Sequence, residues 1–261
     1  DLSAKNTLND ALQALGARTA FAGMIGRDAF GELVRGSLEA RGVDTRYVKH
    51  AAGPSGHTVI QVSREAQNAI LLFGGSNGAV DEAYADRVLA QFGAGDILLL
   101  QNEISALPYI LEKAHARGME IWLNPSPMNE NVLKCNLSLV SVFVLNEVEG
   151  EQLTGTKIPT AILDKLLQKY PHAAAVLTLG SKGAWYAKED KRAFAPAELV
   201  RAVDTTAAGD TFTGYFMRGM LDGLSPKKSL ILAAKAAAIA VSRPGAAPSI
   251  PLYAEVTNER N

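Results

Sequence analysis

Apolar residues in this chain fall into two alternating patterns: short unbroken runs, and stripes at three- and four-residue spacing. Leu8, Ala11, Leu12 and Leu15 form a first helical stripe, closed by Gly16. Thr19–Ile25 reads as a buried strand ending at Gly26. Ala29–Ala40 reads as an amphipathic helix that turns Phe30, Leu33, Val34 and Leu38 inward. The pattern then changes. Tyr47–Lys49, His57–Val62 and Ala69–Phe73 are short strand-like runs with no helix between them, separated by Gly53-Pro54-Ser55-Gly56 and by polar residues 64–68. They predict a small antiparallel flap over about 47–73. Beyond residue 83 the alternation is regular. Helices Ala83–Phe92 and Ala106–Arg117 precede strands Ile97–Gln101 and Glu120–Asn124. Strand Val140–Leu145 leads into a short helix, Val148–Leu153. Helix Thr160–Lys169 precedes strand Ala174–Leu179, and a hairpin follows (Ala184–Ala187, then Arg192–Pro196). Two Ala-rich helices, Gly209–Leu221 and Pro226–Ser242, complete the series. Such a chain predicts an α/β fold whose mostly parallel sheet is covered on both faces.

Composition narrows this further. With 261 residues, 48% of them hydrophobic, and a mean hydropathy of +0.04, the chain can bury a sizeable core as a single domain over 1–261. The net charge is −1 and no basic stripe is present, which argues against nucleic acid as a partner. The apolar runs are too short or interrupted to span a membrane. Cys135 is the only cysteine, so an intrachain disulfide and a Cys-based zinc cluster are both excluded, and a reducing cytoplasm is the expected compartment. His50, His57, His115 and His172 share no motif and read as surface or packing residues. The first residue is Asp1, no signal peptide is visible in the given residues, and the opening helix–strand–helix reads as the middle of a βαβ series.

Ligands of open parallel sheets bind beyond the carboxyl ends of the strands, and the unusual polar residues fall there. Glu103 follows one strand and Asn124-Pro125-Ser126-Pro127 the next. Asn146 and Glu149 follow a third, Thr178-Leu179-Gly180-Ser181-Lys182-Gly183 a fourth, and Val203–Gly214 the fifth. In that last stretch the N–H groups of Ala207, Ala208, Gly209 and Asp210 can converge on an anion at the positive end of a helix. Asp210 then stands either as a helix cap or as a group that takes a proton beside a cradle for negative charge, an arrangement suited to phosphoryl transfer to a hydroxyl. Asn146 and Glu149, three apart at a helix start, are either a capping box or an amide and a carboxylate that place phosphate and hydrated Mg²⁺. Glu103 can accept from substrate hydroxyls or cap the following helix. The 178–183 turn lets a phosphate approach closely, although it has neither P-loop nor dinucleotide-turn spacing.

Together these turns resemble the ribokinase-like (PfkB) family of sugar kinases. The match is strongest over Ala202–Gly214, followed by Ala233–Val241 and Arg243-Pro244-Gly245-Ala246-Ala247-Pro248-Ser249-Ile250-Pro251. It runs from about Leu15 to Val256. The resemblance implies a three-layer α-β-α sandwich with a small β lid, and ATP-dependent transfer of a phosphoryl group to a primary hydroxyl of a small sugar, ribose first. Asp210 would be the catalytic base, and Ala207, Ala208 and Gly209 the anion hole. Asn146 and Glu149 would place phosphate and Mg²⁺. Thr178, Gly180, Ser181, Lys182, Gly183 and Ala234 would line the nucleotide, and Glu103 would contact the sugar. Asp204, Thr206, Ala240, Arg243, Gly245 and Ser249 would surround K⁺. Homodimers formed through the lid are also implied.

Two departures accompany the match. The family's first strand, with a substrate-binding aspartate, has no counterpart ahead of Asp1. Its glycine-rich sugar turn should fall at Leu2-Ser3-Ala4-Lys5-Asn6-Thr7, which reads differently. Alternatives are a kinase for another pentose, a ketohexose or a nucleoside, a non-catalytic sensor that keeps the fold, and a hydrolase.

Overall fold

A computed structural model of the chain describes residues 18–62 and 68–257. The expected first helix and the 2–7 turn lie outside these residues. The chain forms two compact units. One comprises the described parts of Asp1–Val80, Val200–Arg218 and Ala236–Asn261; the other comprises Asp81–Leu199 and Gly219–Lys235.

The first unit opens with β1 (Gly23–Ile25), α1 (Ala29–Ala40) and β2 (Val48–His50). β1 and β2 are parallel, with Met24 opposite Lys49, so the helix is the crossover of a βαβ unit. Here the three-stranded flap expected from the sequence needs correction. The run at 47–49 belongs beside β1, and only β3 (His57–Val62) and β4 (Asn68–Phe73) form an antiparallel hairpin. A strand-like run this short does not reveal whether its neighbour is local or lies across a helix. A second correction concerns α1, where Phe30 and Leu33 are exposed (45% and 60%) while Gly31 and Leu38 are buried. The helix turns its smallest residue toward Gly26 and Ser55, which swings Phe30 outward over the ring of His57, 5.8 Å away. Leu71, Leu72 and Phe73 at the end of β4 are likewise exposed.

The second unit is built on a six-stranded sheet. Its members are β5 (Ile97–Gln101), β6 (Glu120–Asn124), β7 (Val142–Asn146), β8 (Ala174–Thr178), β9 (Ala184–Lys188) and β10 (Lys191–Ala195), neighbours in chain order. β5 to β8 run parallel, and the β9–β10 hairpin joins antiparallel at one edge. Val142–Leu145 and Ala174–Leu177 are buried at every position, as strands covered on both faces must be. The helix α2 (Glu82–Leu89) precedes β5, and α3 (Leu107–Ala116), α4 (Glu130–Leu133), α5 (Glu147–Thr154) and α6 (Pro159–Lys169) connect the parallel strands. α3 buries Leu107, Ile110, Leu111 and Ala114, and α6 buries Ile162, Leu163, Leu166 and Leu167, each set at helical spacing. Trp122 on β6 is buried and donates Nε1–H to Glu120 (2.7 Å). Trp185 on β9 is half-buried against the ring of Phe194 on β10, 4.9 Å away. Later in the chain come α7 (Ala208–Leu221), α8 (Pro226–Val241) and a short α9 (Tyr253–Thr257).

Candidate active site

Asp210 lies on the first turn of α7, half-buried, at the end where the helix dipole favours a negative group. No strand precedes it, contrary to the reading from sequence. Residues 196–207 are irregular and Val203 is 60% exposed. The N–H groups of Val203 and Asp204 both donate to Val241 O at the end of α8 (2.8 and 3.2 Å). The segment therefore hangs on a helix terminus rather than on a sheet.

Ala207 adopts φ +65°, the left-handed region that costs a residue with a Cβ about 1–2 kcal/mol. α7 begins at the next residue. A left-handed residue followed by right-handed helix turns successive N–H groups toward one point and makes an anion-binding concavity. Ala208 N–H reaches Thr205 O at only 3.3 Å, a long bond, and Thr211 N–H closes on Ala207 O at 2.9 Å. Strain of this kind persists where surrounding structure holds it, and it concentrates at functional sites.

Asp204 joins this turn to the loop after α8. Its Oδ1 accepts from Thr206 N–H and its Oδ2 from Gly245 N–H, each at 2.9 Å. The Thr206 hydroxyl and N–H, with Gly245 N–H, hold this carboxyl below the usual range. The buried Ser249 donates its hydroxyl to Ala246 O (2.7 Å), and Arg243 N–H donates to Ala240 O (3.0 Å) while its guanidinium pairs with Glu255. The residues expected around K⁺ thus all lie in the first unit, on two segments linked through Asp204. Their donors are oxygens (a carboxylate, a hydroxyl and backbone carbonyls), the donor type that replaces the hydration shell of K⁺.

The second unit carries the remaining expected residues. Asn146 ends β7 and Thr178 ends β8; the two are opposite each other in the ladder. Glu103 lies in the turn after β5. Asn146 caps α5, and the capping box is complete. Asn146 Oδ1 accepts from Glu149 N–H, while Asn146 N–H and Nδ2 donate to the two oxygens of Glu149, all at 2.9 Å. Glu149 is only 4% exposed. Burial pushes its carboxyl up, against hydrogen bonds from Asn146 and from the Ser126 hydroxyl. A buried anionic oxygen pair with a desolvation cost still to offset fits a neighbouring hydrated cation, so the residues suit Mg²⁺. The bland and the functional readings of this pair are therefore compatible.

Between β8 and β9, Gly180–Lys182 form a single tight turn, with Leu179 N–H donating to Gly183 O (2.8 Å). Gly183 has φ +112°, and a Cβ there would collide with the carbonyl of Ala195. Only glycine fits. Lys182 Nζ lies 3.2 Å from Glu147, exposed, and Ala234 is buried on α8.

Two residues were not assigned roles from sequence. Ser126 is one, through Glu149. Asn102 is the other: it is buried, its Nδ2 donates to Pro127 O (2.6 Å) and Asn129 Oδ1 (2.8 Å), and its own Oδ1 has no partner. It ties the end of β5 to the loop after β6, and its only signal was its place beside Glu103. Cys135 is buried, with its thiol pushed up to about 11 by desolvation, which disfavours the reactive thiolate.

Comparison with known proteins follows the same lines. The model of the pfkB family carbohydrate kinases matches residues 6–252. The ribokinase of Schizosaccharomyces pombe is 36% identical over 253 residues, 92% of this chain and 78% of the relative. That of Haemophilus influenzae is 32% identical over 254 residues, 92% and 81% of the two chains. A deoxyribokinase of Salmonella typhi is 29% identical over 87% of this chain and 76% of its own length. Among solved structures, Arabidopsis thaliana ribokinase complexed with ribose and ATP superposes with a TM-score of 0.84 at 29% identity, covering 96% and 84% of the two chains. The chain belongs to the pfkB family of carbohydrate kinases and has the three-layer ribokinase fold. It is an ATP-using phosphotransferase with an alcohol group as acceptor.

Proposed function

We propose that this kinase transfers the γ-phosphoryl group of ATP to the primary hydroxyl of a small sugar, ribose in preference to others. The left-handed Ala207 immediately ahead of the helix that carries Asp210 is the observation on which this reading rests. A strained turn with converging N–H groups, next to a carboxylate, suits a reaction in which a proton leaves one oxygen as negative charge spreads over three others. Asp210 takes the proton of the sugar hydroxyl. That oxygen bonds to the γ-phosphorus, the bond to the β-phosphate oxygen breaks, and ADP leaves. The N–H groups of Ala207, Ala208 and Gly209 hold the transferring group, and the long Ala208–Thr205 bond is weak enough to be shared.

The remaining roles are assigned residue by residue. Thr178, Gly180, Ser181, Lys182 and Gly183 hold the nucleotide phosphates, with Ala234 beside the base. Asn146 and Glu149 orient the phosphates, and the Mg²⁺ they would help hold supplies neutralisation of phosphate charge. Glu103 accepts from the sugar hydroxyls. Asp204, Thr206, Ala240, Arg243, Gly245 and Ser249 would hold K⁺, which orders the loop bearing Asp210. The β3–β4 hairpin covers the sugar and excludes water. Exposed Leu71, Leu72 and Phe73 support a homodimer through that hairpin. Among the described residues no helix is long and apolar enough to cross a membrane, and a cytoplasmic enzyme is the reading that goes with a reduced Cys135.

The ribokinase relatives and the ribose- and ATP-bound neighbour support ribose, and the deoxyribokinase relative makes 2-deoxyribose the second choice. A panel of pentoses, ketohexoses and nucleosides, read by ATP consumption, tests this directly. Ribose should give the highest kcat/KM. Consumption that no sugar or nucleoside stimulates would overturn the reading.

A further inference from the structure

The chain enters and leaves the β3–β4 hairpin through one small joint. Pro54-Ser55-Gly56 leads into β3, and Gly74-Gly75-Ser76 leads out of β4. Ser55 is 3% exposed. It donates its hydroxyl to Asp28 Oδ1 and its N–H to Asp28 Oδ2, both at 2.7 Å, and its hydroxyl oxygen accepts from Gly26 N–H at 2.9 Å. Ser76 secures the second leg: its N–H donates to Pro54 O (2.9 Å) and its hydroxyl to Met24 O on β1 (2.7 Å). The joint has no slack. A Cβ on Gly75, at φ +48°, would lie 2.6 Å from Pro54 O, and one on Gly26 would strike Ser55 N. Beyond the joint, β3 and β4 pair only with each other among the described residues. Gly74, at the hairpin end of the outgoing leg, borders open space.

The geometry points to Asp28 as a positioning residue for sugar phosphorylation: its grip on Ser55 pins both legs of the hairpin to the start of α1, so the hairpin moves over the sugar as one piece. This rests on the reading of the hairpin as the cover of the sugar site. Asp28 touches no substrate and acts through Ser55. Charge assistance makes it a strong fastener, since one carboxylate accepts from Ser55 N–H, the Ser55 hydroxyl and Gly31 N–H (2.8 Å). The last of these bonds caps α1, so helix and joint form one rigid block. Gly74, between β4 and the pinned Ser76 and bordering open space, then absorbs the rotation.

Asp28→Asn separates the two jobs. An amide oxygen on the Gly31 side keeps the cap, while the NH₂ group meets Ser55 N–H, donor against donor. With ribose as probe, kcat/KM for the sugar should fall roughly 10- to 100-fold, the loss expected for one charged hydrogen bond, with KM for ATP unchanged. Ribose should also lose its power to slow hydrogen exchange in β3 and β4. Ser55→Ala, which keeps the N–H bond to Asp28, should fall between this variant and wild type. Asp28→Asn that melts earlier, yet keeps the wild-type KM for ribose and the exchange protection well below its melting point, overturns the proposal and leaves a structural role only. Equal losses toward ribose and ATP also overturn it. If the unsubstituted protein shows neither ribose-dependent ATP consumption nor ribose-induced protection, the reading of the function fails, and the proposal with it.

Discussion

Glu149 and Asp210 are both carboxylates on the first turn of a helix, in opposite settings. Glu149 is buried and held by three donors from two residues, Asn146 and Ser126, in a box that closes on itself. Asp210 is half-buried and follows a left-handed alanine that no propensity favours. A closed, desolvated network fixes a shape and can present an oxygen to a hydrated cation, but it is a poor place to move a proton. A strained turn at a helix terminus stores its cost in the folded chain and leaves its carboxylate partly open to solvent. The same local device, an acid at a helix start, is thus closed on itself at Glu149 and set behind a strained turn at Asp210, the setting that suits the proposed proton transfer.

Removing Asp210, the acid proposed to take the proton, should have the largest consequence. Asp210→Asn is expected to retain the melting temperature and ATP binding while kcat falls by about 10² to 10⁴. Retention of most of the activity would leave both acids with a structural role only. Opening the closed box comes next. Asn146→Ala removes a donor and an acceptor to Glu149, and the KM for Mg-nucleotide should rise about 10- to 100-fold, as when a supporting partner of a metal-binding group is lost. The KM for the sugar should stay close to wild type; the reverse pattern would mean that the assignment of the two substrates is inverted.

Asp204→Asn should act less strongly. It should abolish any activation by K⁺ over Na⁺ and lower stability in a pH-dependent way. The folded-state value of Asp204 is depressed from 3.8, so its contribution is present above that value and is lost as pH falls through the lower, folded-state one. Wild type and variant should therefore converge in denaturant melts taken at increasingly acid pH. A gap that instead widened on acidification would contradict the hydrogen bonds to Thr206 and Gly245. Ala207→Gly should be the mildest change. Relief of the left-handed strain, about 1–2 kcal/mol, is set against a glycine's extra chain entropy of roughly 0.5–1 kcal/mol. A melting point equal to or slightly above wild type is expected, with kcat reduced by the looser turn. A large fall in stability would mean that the alanine is not strained.

Much of this contrast was legible in the sequence. Strands Ile97–Gln101 and Glu120–Asn124 and helix Ala29–Ala40 fall where periodicity puts them, because each is bounded by glycine, proline or a capping acid. The Asn146–Glu149 spacing announced a capping box, and the box is there. Other features left no local trace. Val48–His50 looks like the neighbour of β3, and only the handed crossover of α1 brings it beside β1. Val203 is apolar yet exposed, since the segment before α7 finds its hydrogen bonds at the end of a helix. The left-handed turn at Ala207 was invisible because alanine rarely adopts that conformation; a glycine would have signalled it. Ser126 was quoted for its place at a strand end, but its bond to Glu149 joins residues 23 positions apart.

The tight turn at Gly183 has a practical consequence through its neighbour. Trp185 lies two residues beyond it, half-buried against Phe194, while the chain's other indole, Trp122, is sealed in the sheet. The protein thus carries its own unequal pair of fluorophores. A collisional quencher in water reaches the first far more readily than the second, so quenchable emission reports on the neighbourhood of residues 178–183 with no label attached.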